Sequence, residues 1–441
     1  MHRLPFADRL PYRFHPPRPS SFWVRATRGY RRRLLRGEHR VRAIDVVGLE
    51  HLTPLLGRRD GVMLTPNHCD RADGLVMLNL SDRIGRPFCS MAAYQIFEGN
   101  AGLRHRLFPR LGIFAVDREG SDLAAFKAAV EVLTAARFPL LLFPEGEVYH
   151  LADRLTPLRE GAATLALAAA RRRAEAGATV WVVPVGLKYR FPDDHDPMPA
   201  FLDRMARLER QMTWRPRGDL PLVERIYRFA EALVSLKELE YLGAARSGPL
   251  AGRVAVLQDA LLRPIEARRS TRRRGDPAAS PVPVRVKDLR KCCLEILAEA
   301  DTPPDEARRL RDDLDDLFLA MQAYSYPGDY VSQHPTRERI AETLMKLEED
   351  LLLEPGECAG PLGPRRVEMR IGSPIDVASA LAEAGSSRAA APALTAELEM
   401  LIRALLDAMG PGRPLDGSAA SAVETPPDAP SEAAARGPIP S

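Results

Sequence analysis

One histidine and one aspartate, His68 and Asp73, have the types and spacing for general-base chemistry. They follow a short apolar run that ends at Pro66, and apolar residues with helical spacing resume at 75–80. This pattern predicts a strand, a tight turn and a helix. A carboxylate reaching back to the histidine would fix its tautomer, so that the other ring nitrogen can accept a proton from a hydroxyl. The pair alone is equally typical of a surface histidine followed by an aspartate that caps a helix.

Strand-like and helix-like patterns alternate through the first half of the chain. We predict strands at residues 43–48, 61–66, 87–91, 112–116, 139–143 and 180–185. We predict helices at residues 22–35, 72–84, 121–136, with Ser121 as a cap, and 160–175. Such alternation is typical of an α/β fold, and we expect a layered, largely parallel sheet flanked by helices.

A helical period replaces this alternation after Phe191. Apolar residues recur every three or four positions in the segments 222–242, 250–268, 284–300, 304–323 and 336–353. A further strand is predicted at 366–371 and a closing helix at 393–409, which indicates a large α-helical insertion before the last sheet strand. The predicted organisation is a basic N-terminal segment (1–42), an α/β core (43–194), the helical insertion (195–360), the core completion (361–410) and a disordered tail (411–441).

Composition limits the class of protein. The chain has 441 residues, of which 45% are hydrophobic, enough to bury a large core. No apolar run approaches the roughly 18 residues of a membrane-spanning helix, and no signal peptide is recognisable. The five cysteines are odd in number and scattered without metal-ligand spacing. We therefore expect free thiols in a reducing cytoplasm and no metal site.

Positive charge is concentrated near the N-terminus. Residues 1–42 contain twelve arginines against two carboxylates, whereas the whole chain has a net charge of only +4. Phe22, Trp23 and Tyr30 are interleaved with these arginines. The combination suits an anionic membrane surface, where each basic residue contributes about 1 kcal/mol. The alternative is a solvated basic arm touching nucleic acid, but no nucleic-acid reading motif is present, so we expect a membrane partner and no nucleic acid.

Four short blocks lie where strands are predicted to end. They are Asn67-His68 with Asp73, the segment 112–118 ending in Arg118, the segment 143–147, and Val183-Pro-Val-Gly186. In residue type, order and spacing the four blocks resemble those of the lysophosphatidate acyltransferases, within the glycerolipid acyltransferase superfamily. The resemblance covers about residues 61–187, and leaves the insertion and both termini outside it.

The resemblance implies an enzyme that moves an acyl chain from an acyl-CoA or acyl-carrier-protein thioester to a lysophospholipid hydroxyl in phospholipid biosynthesis. His68 would take the hydroxyl proton while Asp73 holds the ring, a contribution of roughly 10²–10⁴-fold. No covalent enzyme intermediate and no cofactor beyond the acyl donor are implied. With its lipid substrate in a bilayer, the protein is expected to be cytoplasmic and peripheral on the inner face of the cell membrane.

The same resemblance implies a set of substrate-binding residues. Arg118 would bind the acceptor phosphate, the alternative being a surface arginine paired with a neighbouring carboxylate. Glu145 and Gly146 would complete the acceptor site, with Gly146 letting backbone N–H groups approach an anion; a structural capping role for Glu145 is the alternative. Asn67 could orient the turn or donate to the thioester oxygen. The block at 183–186 would line the acyl chain or form a core strand.

Two departures from the family pattern open other possibilities. Glu147 stands where the family commonly has a small hydroxyl residue, and a second carboxylate is unfavourable near a phosphate unless it points away or meets a cation. A different lipid acceptor, such as an amino-acid-derived lipid, is therefore a second hypothesis. Cys69 is either a packed thiol or a nucleophile. A third hypothesis is a catalytically idle, membrane lipid-binding scaffold whose insertion recruits a partner.

Overall fold

An eight-stranded sheet forms the centre of the molecule. The computed structural model describes residues 12–58, 60–97, 103–117, 122–269, 280–299, 301–353 and 359–415. The strands are β1 (Val41–Val47), β2 (Gly61–Pro66), β3 (Cys89–Ala93), β4 (Ile113–Val116), β5 (Leu140–Leu141), β6 (Val180–Arg190), β7 (Arg365–Ile371) and β8 (Ile375–Asp376).

Helices of the core lie before, between and after these strands. They are α1 (Ser21–Ala26), α2 (Arg28–Gly37), α3 (Leu49–Leu56), α4 (Asp73–Ile84), α5 (Leu103–Arg110), α6 (Leu123–Ala135), α7 (Gly161–Ala174), and, after the insertion, α15 (Val377–Ala384) and α16 (Ser387–Ala408). The insertion contains α8 (Met198–Gln211), α9 (Leu222–Leu242), α10 (Leu250–Arg269), α11 (Val282–Leu297), α12 (Pro304–Tyr324), α13 (Tyr330–Gln333) and α14 (Arg337–Leu352).

The strands are arranged in the order β1-β7-β6-β2-β5-β3-β4, with β8 beside β6. Strands β6, β2, β5, β3 and β4 are mutually parallel, whereas β7 runs antiparallel to β6 and parallel to β1. The predicted α/β class with a largely parallel sheet is confirmed. The predicted helical insertion is also confirmed, because the chain leaves the sheet after β6 and returns at β7.

Strand β2 is buried along its whole length because helices cover both faces of the sheet. Met63 packs on the side covered by α6, α7 and α16, and Leu64 packs on the side covered by α3 and α4. A strand buried on both faces reads as an uninterrupted apolar run, which is why this element is visible in the sequence. Its carboxyl end, at Pro66, leads directly into the turn that carries His68.

Several elements differ from their predicted bounds. The predicted strand at 139–143 is only the short β5, because the chain turns at Pro144, where Gly146 N–H donates to Phe143 O. The closing helix begins at Ser387 rather than at 393, because the Ser386 hydroxyl accepts from Ala389 N–H and caps it there.

Two of the predicted helices also differ from the observed ones. The single helix predicted at 22–35 is the pair α1 and α2, which meet at Thr27. The side chain that caps α6 is Asp122, whose carboxylate accepts from Ala125 N–H; Ser121, the predicted cap, lies outside the described residues. None of the helices in the described ranges is both long and apolar enough to span a bilayer.

Candidate active site

The turn between β2 and α4 brings His68 and Asp73 together. Nδ1 of His68 lies 2.9 Å from Oδ2 of Asp73, which is the first residue of α4. Asp73 is completely buried, whereas 20% of the His68 side chain is exposed. The carboxylate is thus enclosed by protein while the imidazole has one side open, as a proton acceptor for an incoming substrate requires.

Two further donors fix the Asp73 carboxylate. The Tyr189 hydroxyl donates to Oδ1 over 2.7 Å, and the Asp70 backbone N–H donates to Oδ2 over 2.9 Å. With both oxygens held, the carboxylate presents Oδ2 to the imidazole in one orientation. A carboxylate accepts a hydrogen bond from N–H, so Nδ1 of His68 carries the proton and Nε2 carries the lone pair.

The histidine is also held from its backbone and from its ring face. His68 N–H donates to Glu145 Oε1 over 2.6 Å, and the imidazole stacks on Phe143 with ring centroids 4.1 Å apart. The second oxygen of Glu145 accepts from the backbone N–H and the hydroxyl of Thr156. Glu145 therefore links the His68 backbone to Thr156, with one carboxylate oxygen on each.

Glu145 has an unusual acidity for a carboxyl group. Burial raises its pKa to about 7, although hydrogen bonds from Thr156 and the His68 backbone act in the opposite direction. Near neutral pH this carboxyl group is therefore close to its own titration midpoint. The state of the group that supports the His68 backbone depends on pH over the physiological range.

Asn67 joins the turn to strand β6 through its side chain. Its side-chain amide donates to Leu187 O over 3.1 Å, and its side-chain oxygen accepts from Leu187 N–H over 2.7 Å. The residue is almost fully buried. Of the two roles open to Asn67, this geometry favours orientation of the turn, because neither polar atom of the side chain faces a ligand site.

A buried ion pair lies beneath the same turn. Arg365, the first residue of β7, contacts Asp70 through two nitrogens, at 2.5 and 3.3 Å. Its guanidinium also lies over the ring of Tyr189, 4.6 Å from the centroid. Burial opposes ionisation of Asp70, but Arg365 holds the pKa of that carboxyl below its ordinary value. The strand that follows the insertion thus supports the residues around Asp73.

Cys69 is a packed thiol. It is buried beside Asp73, and its Sγ lies 3.5 Å from Leu187 O. Burial and neighbouring carboxylates, Asp73 first among them, raise its pKa well above the ordinary value. A thiol held protonated is a poor nucleophile, which argues against the nucleophile hypothesis.

Gly146 makes room for a cation rather than offering its backbone N–H to an anion. Its N–H already donates to Phe143 O, and its φ of +80° favours glycine. A Cβ at this position would lie 2.5 Å from Nε of Arg159. The same guanidinium lies 4.0 Å from Glu147, so the extra carboxylate of this block does meet a cation.

The remaining predicted residues separate into two groups. Arg118, predicted to bind phosphate, lies outside the described residues. Val183 and Val185 are buried in the centre of the sheet, so the block at 183–186 is a core strand in this structure. Within the described part of the chain, no cluster of histidine, cysteine and carboxylate side chains could hold a metal ion.

Sequence reasoning missed Tyr189, Arg365, Thr156 and Arg159. One signal was available for Tyr189, because Val185, Leu187 and Tyr189 alternate along β6 and share the cluster that contains Leu64. The strand had been predicted to end at 185. For the other three residues there is no local pattern, since each is brought to the turn only by tertiary structure.

A buried Asp73 that orients a partly exposed His68 at the rim of an α/β sheet is an arrangement capable of general-base chemistry. Residues 43–188 match the family model described as Acyltransferase. The match covers about a third of the chain, and it supports an acyltransferase domain of the glycerolipid acyltransferase superfamily over this range. Among curated proteins, the comparison finds no match.

Proposed function

We propose that the protein transfers a fatty acyl chain from an acyl-CoA or acyl-carrier-protein thioester to a hydroxyl of a lysophospholipid. The single observation that carries this proposal is the hydrogen-bonded pair of His68 and Asp73 at 2.9 Å. Its setting supports the assignment, because Tyr189 holds Oδ1 of the Asp73 carboxylate and the Asp70 N–H holds Oδ2. Such a fixed imidazole is a general base that need not reorganise during reaction.

The proposed reaction begins with removal of the acceptor's hydroxyl proton by Nε2 of His68. The hydroxyl oxygen bonds to the thioester carbonyl carbon, and the carbon–sulfur bond then breaks. The thiolate of the donor leaves and receives the proton back from the imidazolium, so that the enzyme is regenerated without an external acid. Asp73 stabilises the imidazolium between the two proton transfers.

The N-terminal helices support a membrane-facing role. Phe22, Trp23 and Tyr30 are exposed, although Val24 and Leu35 of the same helices are buried. Exposed aromatic side chains flanked by arginines suit the interface of an anionic bilayer. We propose that this face brings a peripheral enzyme to its lipid acceptor, in the cytoplasm on the inner face of the membrane.

An acceptor panel tests the proposed reaction. The purified chain would be mixed with one radiolabelled acyl-CoA, or with the same acyl chain on carrier protein, and vesicles containing lysophosphatidate, another lysophospholipid, monoacylglycerol or a lyso-aminolipid. We expect label in the diacyl phospholipid formed from a lysophospholipid acceptor, and a loss of transfer when the vesicles lack anionic lipid. Transfer to the lyso-aminolipid alone would show that the acceptor is an amino-acid-derived lipid and not a lysophospholipid. Binding to vesicles with no transfer to any acceptor would support the scaffold hypothesis instead.

A further inference from the structure

A cavity of about 180 Å³ lies between the α/β core and the helical insertion. The core contributes Glu147 and Arg159, among others, and the insertion contributes side chains from α11, α12 and α14. Apolar groups form part of the wall, including Val286 and Phe318. The site is therefore a partly apolar recess between two regions of the molecule, in which electrostatic interactions are stronger than on an open surface.

Basic side chains outnumber acidic ones in this cavity. The four cationic lining residues are Arg159, Lys287, Arg290 and Lys346, and the two carboxylates are Glu147 and Asp350. Each carboxylate has a cation beside it within the cavity. Glu147 lies 4.0 Å from Arg159, and Asp350 lies 2.6 Å from Lys346. The formal charge of the lining is +2, which favours an anionic ligand, and guanidinium and ammonium groups together suit phosphate oxygens.

The cavity adjoins the acyl-transfer site through the block at 145–147. Glu145 supports the His68 backbone, and Glu147, two residues later, lines the cavity. Two residues span at most about 7 Å of chain. Gly146, between them, is the position whose missing side chain admits the Arg159 guanidinium. The segment 145–147 therefore contacts the His68 backbone at its first residue and lines the cationic cavity at its last.

We propose that this cavity binds a phosphate group carried by one of the two substrates, and that the helical insertion supplies three of its four cations. The inference rests on the acyl-transfer function proposed above and assigns the insertion a part in substrate recognition. The chemistry recognised is a phosphate ester. Its source is either the headgroup of the acceptor lipid or the nucleotide end of a coenzyme A donor, and binding measurements distinguish the two.

Calorimetric titration of the full chain provides the test, with glycerol 3-phosphate, coenzyme A, inorganic phosphate and glycerol as probes. The variant Lys287→Met/Arg290→Met removes two charges from the cavity. The matched control, Lys291→Met/Arg308→Met, removes two exposed charges from α11 and α12 that do not line it. Lys346→Met provides a second cavity variant on a different helix, should the double variant fold poorly.

We expect the cavity variants to lose tenfold or more in affinity for one phosphate probe, with the control within twofold of wild type and glycerol binding to none. Loss confined to glycerol 3-phosphate assigns the site to the acceptor headgroup, and loss confined to coenzyme A assigns it to the donor. Equal affinity in cavity variants and wild type, or no binding of any phosphate probe to wild type, would overturn the proposal.

These titrations need no turnover, so they separate the two proposals. Undiminished phosphate binding in the cavity variants of a chain that transfers acyl groups would refute the cavity site alone. Cavity-dependent binding by a chain that transfers no acyl group would refute the proposed reaction alone.

Discussion

Buried arginine–carboxylate pairs occur both at the turn of the core and throughout the insertion, but they have different surroundings. In the core, Arg365 and Asp70 lie beneath the turn that carries His68. In the insertion, Arg225 and Glu209 join α9 to α8 with nothing catalytic nearby. Both pairs are more than nine-tenths buried. The same interaction can therefore hold a candidate catalytic turn or only join two helices, depending on what it contacts.

The pairs of the insertion form a regular series. Among the described residues, further pairs that join one helix to another include Arg204–Glu348 (α8 to α14), Arg253–Glu238 (α10 to α9), Arg285–Glu266 (α11 to α10) and Arg269–Asp313 (α10 to α12). A buried pair contributes little net stability compared with apolar packing, but each geometry fixes one helix against the next. The series thus sets the helix register that places the cavity cations against the core.

The largest contrast is expected from removing one arginine in each region. Arg365→Met and Arg225→Met each leave a buried carboxylate without its cation, which costs about 3 kcal/mol or more of unfolding free energy. Only Arg365→Met should also lower turnover per folded molecule, because Asp70 and Tyr189 lose the group that holds them. Urea unfolding measures the first effect, and acyl transfer normalised to folded protein measures the second.

Arg365→Lys serves as the conservative control and should recover part of the turnover. If Arg225→Met lowered turnover as much as Arg365→Met, the distinction between the two regions would be wrong.

A second contrast concerns the pH dependence of stability. Burial raises the pKa of Glu145 to about 7 in the folded chain, against an ordinary value near 4.5. The folded state therefore binds more protons between these values, and the stabilisation from protonated Glu145 is present at low pH and lost as pH rises from about 4.5 to 7. Relative to Glu145→Gln, the free energy of unfolding of the wild-type protein should fall by about 3 kcal/mol across that pH window.

Glu342 of the insertion provides the comparison. Burial, with a contribution from Asp153, raises its pKa to about 8, so the window for Glu342→Gln should extend about one pH unit higher. Unfolding midpoints of the three proteins between pH 5 and 8.5 would show the two windows. If the unfolding midpoints of wild type and Glu145→Gln changed in parallel with pH, the raised pKa of Glu145 would be contradicted.

The smallest contrast is between two tyrosine–aspartate hydrogen bonds of equal length. Tyr189 donates to Asp73 and Tyr241 donates to Asp316, each over 2.7 Å. Loss of a hydrogen bond to a charged group costs about 1.5–3 kcal/mol. Tyr189→Phe should therefore reduce kcat about tenfold with KM unchanged, since a difference of about 1.4 kcal/mol is tenfold in rate. Tyr241→Phe should leave both constants unchanged, and an equal fall in kcat would show that the effect is only structural.

The arrangement of the turn was largely predictable from local sequence. An apolar strand ending at Pro66, followed by a helix, places residues 67–73 at the rim of a parallel sheet, and five-residue spacing lets an aspartate at the helix start reach His68. The amphipathic helices of the insertion were predictable for the same reason, because their apolar period of three or four residues is a local signal.

What surrounds the pair was not predictable, because it depends on contacts between distant segments. Arg365 follows Asp70 by almost 300 residues and reaches it only because β7 returns between β1 and β6. The roles of Glu145 and Gly146 depend on Thr156 and Arg159, whose loop folds back over the block. Motif position indicated the right segment, whereas the direction of each side chain was decided by tertiary packing.

Acyl transfer by His68→Ala is the most direct test of His68 as the general base. With saturating thioester and lysophospholipid vesicles, we expect kcat to fall by roughly 10²–10⁴-fold while folding, vesicle binding and KM stay near the wild-type values. Turnover close to that of wild type in a folded, vesicle-bound His68→Ala protein would contradict it.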